Sequence, residues 1–258
     1  MFIEFLGVPG SGKTTLTPVV AHHLRDRGLT AMTGTEAGRP FARRTLWGRM
    51  ISTAIRQPDL QRSALWLTFV YASIPHRLGF AVENYQFVRY TIKSQLGRPL
   101  PRQHLRLIRQ HFARMMGDYQ FLKRYMRPDE ILIFDEGFLQ RVIHLYVSDR
   151  EEPDAASILR YLELAPQSAL AVLVYVPLNT CLERIYARGL RGRLSGKSEE
   201  EVAQFVANAE LAVQISAHYL QRMGWAIIEV DNAGDLDASQ VSLCEQLDKL
   251  PLFSAVKG

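Results

Sequence analysis

The chain has 258 residues, of which 47% are hydrophobic and 22% are charged, and its formal net charge is +5. This is the composition of an ordinary globular protein with enough apolar material for a core, which excludes collagen, a coiled coil and wholesale disorder. No run of about 18 apolar residues is free of charge, so an integral membrane protein is excluded as well. We expect one domain over residues 1–258.

The N-terminus and the cysteines bear on the compartment. The first six residues have neither a basic leader nor a small-residue cleavage site, and they run directly into a glycine-rich motif. Cys181 and Cys244 are the only cysteines and form no CxxC pair, which argues against a disulfide framework and against a cysteine zinc site. We therefore expect reduced cysteines and a cytoplasmic protein.

The first elements in chain order form a strand, a glycine loop and a helix. Residues 2–6 are a short apolar run that predicts a buried strand, and residues 13–27 predict a helix that ends at Gly28. A second short strand is predicted over residues 29–35. The spacing of apolar residues from 41 to 127 is helical, with no good strand signal in that stretch.

The second half of the chain repeats a strand-helix pattern. Residues 130–134 form a continuous apolar run, as expected of a central parallel strand, and residues 169–176 and 225–230 resemble it. Helices are predicted over residues 178–187, 199–220 and 236–250. Strands that alternate with helices indicate an α/β fold, with a parallel sheet of about five strands and helices on both faces.

The glycine loop carries the motif of a phosphate-binding loop. Its residues, Gly7-Val8-Pro9-Gly10-Ser11-Gly12-Lys13-Thr14, fit the Walker A pattern G-x-x-x-x-G-K-[ST] between a predicted strand and a predicted helix. Glycines let backbone N–H groups surround a phosphate, the lysine reaches the β- and γ-phosphates, and the threonine hydroxyl binds Mg²⁺. The alternative is a glycine turn with an exposed lysine. We predict an ATP site formed by Gly7, Pro9, Gly10, Ser11, Gly12, Lys13, Thr14 and Thr15.

An acidic residue follows the central apolar run, where folds of this kind position a metal. Asp135 is therefore predicted to bind Mg²⁺ together with Thr14. Its alternative role is as the N-cap of a helix that begins at Phe138. Glu136 has three open roles: a second acid near the metal, a substrate contact or a solvated loop residue.

A basic cluster follows the strand at 169–176. Arg184 and Arg188 stand four residues apart on one predicted helix face, before a loop that contains glycines. This pattern predicts a lid over residues 184–198 that closes on phosphates, since guanidinium groups stabilise the charge that develops during phosphoryl transfer. The alternative is a solvated basic loop.

These three motifs together resemble the deoxynucleoside kinase and thymidylate kinase superfamily over most of the chain. The segment Thr180-Cys181-Leu182-Glu183-Arg184-Ile185-Tyr186-Ala187-Arg188-Gly189 is similar to the lid of deoxynucleoside kinases. The resemblance implies a P-loop NTPase fold, a helical acceptor-binding region at 36–127 and a general base at Glu36. It also implies that Arg184 and Arg188 contact the nucleotide, and that Asn232 lies in the loop that carries the adenine of ATP.

Two positions depart from the family pattern. Val70 stands where deoxynucleoside kinases have a base-reading glutamine, and a valine cannot read a base edge by hydrogen bonds. Glu136 replaces a substrate-facing arginine with an anion. Both departures leave the identity of the acceptor open.

The window from Arg98 to Arg127 is strongly basic. Its cations are Arg98, Arg102, Arg106, Arg109, Arg114, Lys123, Arg124 and Arg127, against the single acid Asp118. This window is interpreted as a solvated face, as a site for an acidic acceptor or, third, as a nucleic-acid patch, which lacks interleaved aromatic residues.

The functional hypothesis is an ATP- and Mg²⁺-dependent kinase for a small molecule, with a nucleoside or nucleotide as the first acceptor class. The alternatives are a kinase for another metabolite or an antibiotic, and a P-loop ATPase or switch without a small acceptor. Lys13, Glu36, Asp135, Arg184 and Arg188 are the predicted catalytic residues. We expect no membrane partner, disfavour nucleic acid and leave a homodimer open.

Overall fold

The computed structural model describes residues 1–96 and 102–253, with the backbone alone at 96 and 102–109. Its strands are Phe2–Leu6 (β1), Thr30–Thr33 (β2), Glu130–Phe134 (β3), Leu170–Tyr175 (β4) and Ile227–Asp231 (β5). Its helices are Lys13–Asp26 (α1), Gly34–Ala42 (α2), Leu46–Ala54 (α3), Pro58–Glu83 (α4), Tyr85–Leu96 (α5), Arg102–Tyr125 (α6), Phe138–Tyr146 (α7), Ala155–Leu164 (α8), Leu178–Ala187 (α9), Glu199–Arg222 (α10) and Leu236–Asp248 (α11). Within the described residues, no helix is long and apolar enough to cross a bilayer.

The predicted fold class is confirmed. The sheet has five strands in the order β2-β3-β1-β4-β5, and helices flank it. The stretch predicted as helical over residues 41–127 contains α3 to α6 and the end of α2, with breaks before Leu46 and Pro58 and after Glu83. Helix α8 is not among the helices predicted from the sequence.

Strand β1 occupies the middle of the sheet. It pairs in parallel with β4, with Ile3 opposite Leu170 and Leu6 opposite Leu173, and β4 in turn pairs in parallel with β5. All five residues of β1 are buried, as expected for a strand covered on both faces. The carboxyl ends of these parallel strands lie along one edge, which is where open α/β sheets bind ligands.

The chain divides into two compact units, and the first comprises Met1–Ala31 and Ile133–Gly258. Within this unit α1 packs on β1 and α11, while α7 packs on β1, α8 and α10. Tyr146 and Tyr161 are fully buried between α7 and α8, with their ring centroids 5.5 Å apart. The unit therefore has its own apolar core around β1 and β4.

The second unit, Met32–Leu132, is helical. Helix α4 is its centre and packs on α2, α3, α5 and α6. Its core is aromatic, with Phe69, Phe80, Phe87 and Phe121 buried. Arg44 lies after α2, and its guanidinium forms an ion pair with the buried carboxylate of Glu130 at the start of β3. The same guanidinium donates to the Tyr125 carbonyl oxygen at 2.6 Å.

Candidate active site

The loop between β1 and α1 needs glycine at two positions. Gly10 and Gly12 have φ values of +87° and +92°, which side chains of L-residues rarely adopt. A Cβ at Gly10 would lie 2.8 Å from the Cys181 carbonyl oxygen, and one at Gly12 would collide with the amide nitrogen of Asn232. The backbone of this loop is therefore bare, as a loop must be if its N–H groups are to approach a phosphate.

The side chain of Lys13 folds back against the loop between β1 and α1. Its Nζ donates hydrogen bonds to the carbonyl oxygens of Gly7 at 2.7 Å and Val8 at 3.0 Å, and to Ser11 Oγ at 3.3 Å. Burial lowers the pKa of Lys13 to about 8, and the negative charge of Glu136 acts in the opposite direction. The ammonium is thus held inside the loop, where an anion would replace carbonyl oxygens as its partner.

The metal-binding pair predicted from the sequence comes together at the carboxyl ends of β1 and β3. The Thr14 hydroxyl, at the start of α1, donates to Asp135 Oδ2 at 3.1 Å. Thr14 is exposed and Asp135 is half-buried, so both oxygens remain accessible to a cation. A hydroxyl and a carboxylate fit the oxygen preference of Mg²⁺, which takes its other ligands from water and phosphates.

The strand order, the bare glycine loop and the contact between Thr14 and Asp135 decide the fold. The chain has a P-loop NTPase fold. Among the residues whose side chains the structure describes, no three His, Cys, Asp or Glu side chains cluster as a metal site.

Glu4 binds the start of α7, three to four residues after Asp135, and is not among the predicted site residues. Its carboxylate is 1% exposed in the middle of β1 and accepts hydrogen bonds from the Leu139 N–H and the Ser168 hydroxyl, both at 2.8 Å. The N-cap of α7 is Gly137, not Asp135, so the alternative role of Asp135 as N-cap is wrong. Burial raises the pKa of Glu4 to about 7.

Glu136 follows Asp135 and is exposed. Its carboxylate lies 3.4 Å from the guanidinium of Arg141, one turn further along in α7. The Arg141 side chain is 14% exposed, so this cation is largely enclosed beside the loop that carries Asp135. Of the three roles left open for Glu136, the arrangement favours none over the others.

The two predicted lid arginines have different surroundings. Arg184 lies in α9 and donates from its guanidinium to the Asn232 carbonyl oxygen at 2.9 Å. Arg188 caps the C-terminus of α9 and is exposed, and its positive charge contributes to the lowered pKa of Lys13. Arg188 is therefore electrostatically coupled to the phosphate-binding loop, while Arg184 contacts the loop after β5.

The far half of the predicted lid is attached to other elements of the same unit. Arg193 donates to the carbonyl oxygens of Ile143, His144 and Val147, the last turn of α7, at 2.9 to 3.3 Å. Lys197 forms an ion pair with Asp149. Between Arg188 and Arg193, Gly189 and Gly192 adopt positive φ values. The segment between the end of α9 and the contacts of Arg193 is therefore only a few residues long.

Asn232 connects three parts of the site. Its side chain is 2% exposed, its Nδ2 donates to the Ser11 carbonyl oxygen at 2.8 Å, and its backbone oxygen accepts from Arg184. The phosphate-binding loop, the loop after β5 and helix α9 thus meet at one residue. The family resemblance implies that Asn232 lies at the nucleotide, but no sequence pattern predicts its contact with Ser11.

Glu36 belongs to the second unit, where it is the third residue of α2. Its carboxylate accepts from the Thr33 N–H at 2.9 Å, and its own N–H donates to Thr33 Oγ1 at 3.2 Å, which together form a capping box. Val70 is half-buried on α4. The role of Glu36 as general base stays a prediction.

The basic window is described in part. Arg98 lies outside the described residues, and the side chains of Arg102, Arg106 and Arg109 do as well. Of the remaining cations, Arg114 lies 3.5 Å from Asp118 and Lys123 lies 2.9 Å from Glu83, in ion pairs within the helical unit. Ion pairs of this kind are typical of a solvated helix face.

Comparison with known proteins gave structural matches only. No protein-family model matches the chain, and no curated protein matches it. A structure of deoxyadenosine kinase from M. mycoides with bound dCTP matches with a TM-score of 0.42 and 13% identity, over 97% of this chain and 100% of that chain. A structure of the same kinase with bound dATP matches with a TM-score of 0.43 and 13% identity, over 96% of this chain and 100% of that chain.

Proposed function

We propose that the protein is an ATP- and Mg²⁺-dependent phosphotransferase that acts on a small molecule. The observation that carries the proposal is the contact between Thr14 and Asp135 beside the buried ammonium of Lys13. A hydroxyl, a carboxylate and a lysine at one glycine loop are the groups that phosphoryl transfer requires around a magnesium-bound nucleotide. Thr14 is exposed, so its contact with Asp135 is not part of the buried core.

Each of these residues has a distinct task in the proposed reaction. Thr14 and Asp135 would hold Mg²⁺, which would neutralise charge on the phosphates. Lys13 exchanges the carbonyl oxygens of Gly7 and Val8 for phosphate oxygens. Arg188 adds a guanidinium at the edge of the loop, where it stabilises the negative charge of the transition state. Catalysis then rests on positioning and electrostatics.

Asn232 is proposed as a positioning residue for the nucleotide site. Its amide holds the Ser11 carbonyl oxygen, and its backbone oxygen holds Arg184. Replacement by Asp keeps the shape but removes the N–H donor and places a second oxygen against that carbonyl. Asn232→Asp should weaken ADP binding and also lower the melting temperature, because it buries a charge against a carbonyl oxygen. Unchanged ADP binding by the folded variant would contradict a positioning role.

The acceptor proposed first is a nucleoside or nucleotide, bound by the helical region 36–127, with Glu36 as general base and the cytoplasm as the compartment. Glu36→Gln is a matched test, because Gln also completes a capping box and so preserves the start of α2. If Glu36 accepts the proton of a hydroxyl, turnover should fall by about 10² to 10⁴-fold with unchanged ATP affinity. Unchanged turnover would place the base elsewhere.

The deciding experiment measures ADP release with ATP alone and with a panel of acceptors. The panel contains nucleosides, nucleoside monophosphates, sugars and aminoglycosides, and mass spectrometry identifies the phosphorylated product. Asp135→Asn is the matched control, since it keeps the size of the side chain and removes the metal-binding charge. Acceptor-dependent ADP release that Asp135→Asn lowers by about 100-fold or more supports the proposal. Release that no acceptor stimulates contradicts it.

A P-loop ATPase without a small acceptor is the second candidate. The observation in its favour is Glu136, an exposed carboxylate directly after the metal-binding acid. Its carboxylate already forms an ion pair with Arg141. ATP hydrolysis without any acceptor that falls on Glu136→Gln would favour this candidate.

A further inference from the structure

Gln140 is a polar residue on the buried face of α7. Its side chain is 4% exposed, and its neighbours in the helix, Phe138, Leu139, Val142 and Ile143, are buried apolar residues. A buried amide costs free energy unless it forms hydrogen bonds. A glutamine at this position therefore requires a hydrogen-bond partner.

The partner is the backbone of the phosphate-binding loop. The Oε1 atom of Gln140 accepts a hydrogen bond from the Gly7 N–H at 3.2 Å, although the two residues are 133 positions apart. Because a backbone N–H only donates, the amide atom that faces it must be the oxygen. Gly7 is the first residue of the glycine motif and directly follows β1. Gln140 thus reaches from α7 to the point where β1 ends and the loop begins.

Gly7 is also a residue that holds Lys13. Its carbonyl oxygen accepts a hydrogen bond from Lys13 Nζ at 2.7 Å. A Cβ at position 7 would lie 2.7 Å from both Ser11 Oγ and the Val174 carbonyl oxygen, so the backbone at Gly7 is closely packed. The hydrogen bonds therefore run from the Gln140 amide through Gly7 to the ammonium of Lys13.

Helix α7, which carries Gln140, is itself attached to β1. The Glu4 carboxylate accepts a hydrogen bond at 2.8 Å from the N–H of Leu139, the residue before Gln140. Gly137 is the N-cap of α7 and provides no side-chain cap, so Glu4 supplies an acceptor to the first turn of the helix. A Cβ at Gly137 would collide with this carboxylate. The first turn of α7 is thus joined to β1 by Glu4 and to the loop by Gln140.

We propose that Gln140 is a positioning residue for the nucleotide, which holds Gly7, and through Gly7 the ammonium of Lys13, in the arrangement that receives a phosphate. This inference rests on the proposed function, because it assigns the loop to a nucleotide phosphate. A loop that is already ordered loses less conformational freedom when a ligand binds, so its affinity for the ligand is higher. Without the amide oxygen, the buried N–H of Gly7 loses this acceptor, which favours other arrangements of the loop.

The first test measures the dissociation constant of Mg²⁺-ADP by isothermal titration calorimetry and the melting temperature by scanning calorimetry. Gln140→Met keeps the volume of the side chain and removes the acceptor, so it should raise the dissociation constant by about tenfold or more. Asn208→Leu is the matched control, since Asn208 is 3% exposed in α10 and donates to the carbonyl oxygens of Ser148 and Glu151, outside the loop. It should lower the melting temperature and leave the dissociation constant unchanged.

Hydrogen exchange of the Gly7 N–H, followed by NMR, is a second readout that needs no nucleotide. Glycine labelled with nitrogen-15 and leucine labelled with carbon-13 at the carbonyl select the Leu-Gly pairs, which include Leu6-Gly7 and, in α4, Leu78-Gly79. Gln140→Met should speed the exchange of Gly7 by about tenfold or more and leave Gly79 unchanged. Gln140→Glu keeps an oxygen at the same distance along the side chain, so it should preserve the slow exchange of Gly7.

Unchanged exchange of Gly7 in Gln140→Met would overturn the inference, and so would an unchanged dissociation constant or one that rises equally in Asn208→Leu. If Gln140→Met does not fold, Gln140→Asn replaces it, because its amide is one methylene shorter and cannot reach Gly7. A wild-type chain that binds no Mg²⁺-ADP would overturn the proposed function and this inference together. Failure of this inference alone leaves wild-type ADP binding intact.

Discussion

Nucleotide binding should take up a proton at alkaline pH, and Lys13 is the residue that binds it. Burial in the loop lowers the pKa of Lys13 to about 8 from an ordinary value of 10.5. A bound phosphate stabilises the ammonium and returns the pKa toward its ordinary value. Between pH 8 and pH 10 the ligand-free chain therefore has a largely neutral Lys13, and binding protonates it.

The size of the effect follows from these two values. At pH 9 about a tenth of Lys13 is protonated without ligand and nearly all of it with ligand, so binding takes up about 0.9 proton. Below pH 7 the uptake by Lys13 is close to zero, because the ammonium is already charged. The affinity for the nucleotide should fall about tenfold for each pH unit above 8. The total loss of binding free energy is about 3 kcal/mol if the bound phosphate reverses the full shift in the pKa of Lys13.

Isothermal titration calorimetry with Mg²⁺ and ADP measures this uptake. The titration is repeated at pH 9 in two buffers of different ionisation enthalpy, and the difference in heat gives the number of protons. Lys13→Met should abolish the uptake, and Lys249→Met, at an exposed lysine after α11, should leave it unchanged. An uptake near zero at pH 9 with intact ADP binding would refute the role of Lys13.

Three other predictions test the surroundings of the loop. Thr14→Val should raise the Mg²⁺ concentration needed for half-maximal turnover, and an unchanged Mg²⁺ titration would count against the hydroxyl as a ligand. Arg188→Lys should lower kcat more than it changes KM, because it loses the planar fork, while Arg160→Lys, in an exposed pair with Glu163, should change neither. Burial raises the pKa of Glu4 from 4.5 to about 7, so the folded chain binds more protons in this range. Wild type should then lose about 3 kcal/mol relative to Glu4→Gln between pH 4.5 and pH 7.5, as urea unfolding at each pH measures.

The parts of the fold predicted from the sequence are those with a local signal. A continuous apolar run marks β3 and β4, and the glycine motif marks the turn into α1, because these patterns depend on neighbours in the chain. Thr45 and Pro58 mark breaks within the helical stretch, as a side-chain cap and a first-turn proline. Helix α8 also had a readable pattern in Ile158, Tyr161 and Leu162.

The supporting contacts of the site had no comparable signal. Asn232 bonds to Ser11 across 221 residues, and Glu4 bonds to Leu139 across 135. Only the folded sheet brings these residues together. A single hint was available for Glu4, since a lone carboxylate in the apolar strand Phe2–Leu6 must find partners if it is buried.

Helix α7 lies between the loop that carries Asp135 and the segment that carries Arg193. In its first turn the Leu139 N–H donates to the Glu4 carboxylate, and at its last turn Arg193 donates to the His144 carbonyl oxygen. The nine residues of α7 form a helix about 13 Å long, which is rigid over this length. Movement of the predicted lid would therefore be transmitted through α7 toward Asp135. In the proposed reaction, closure of the predicted lid and adjustment of the Asp135 carboxylate would then occur as one movement.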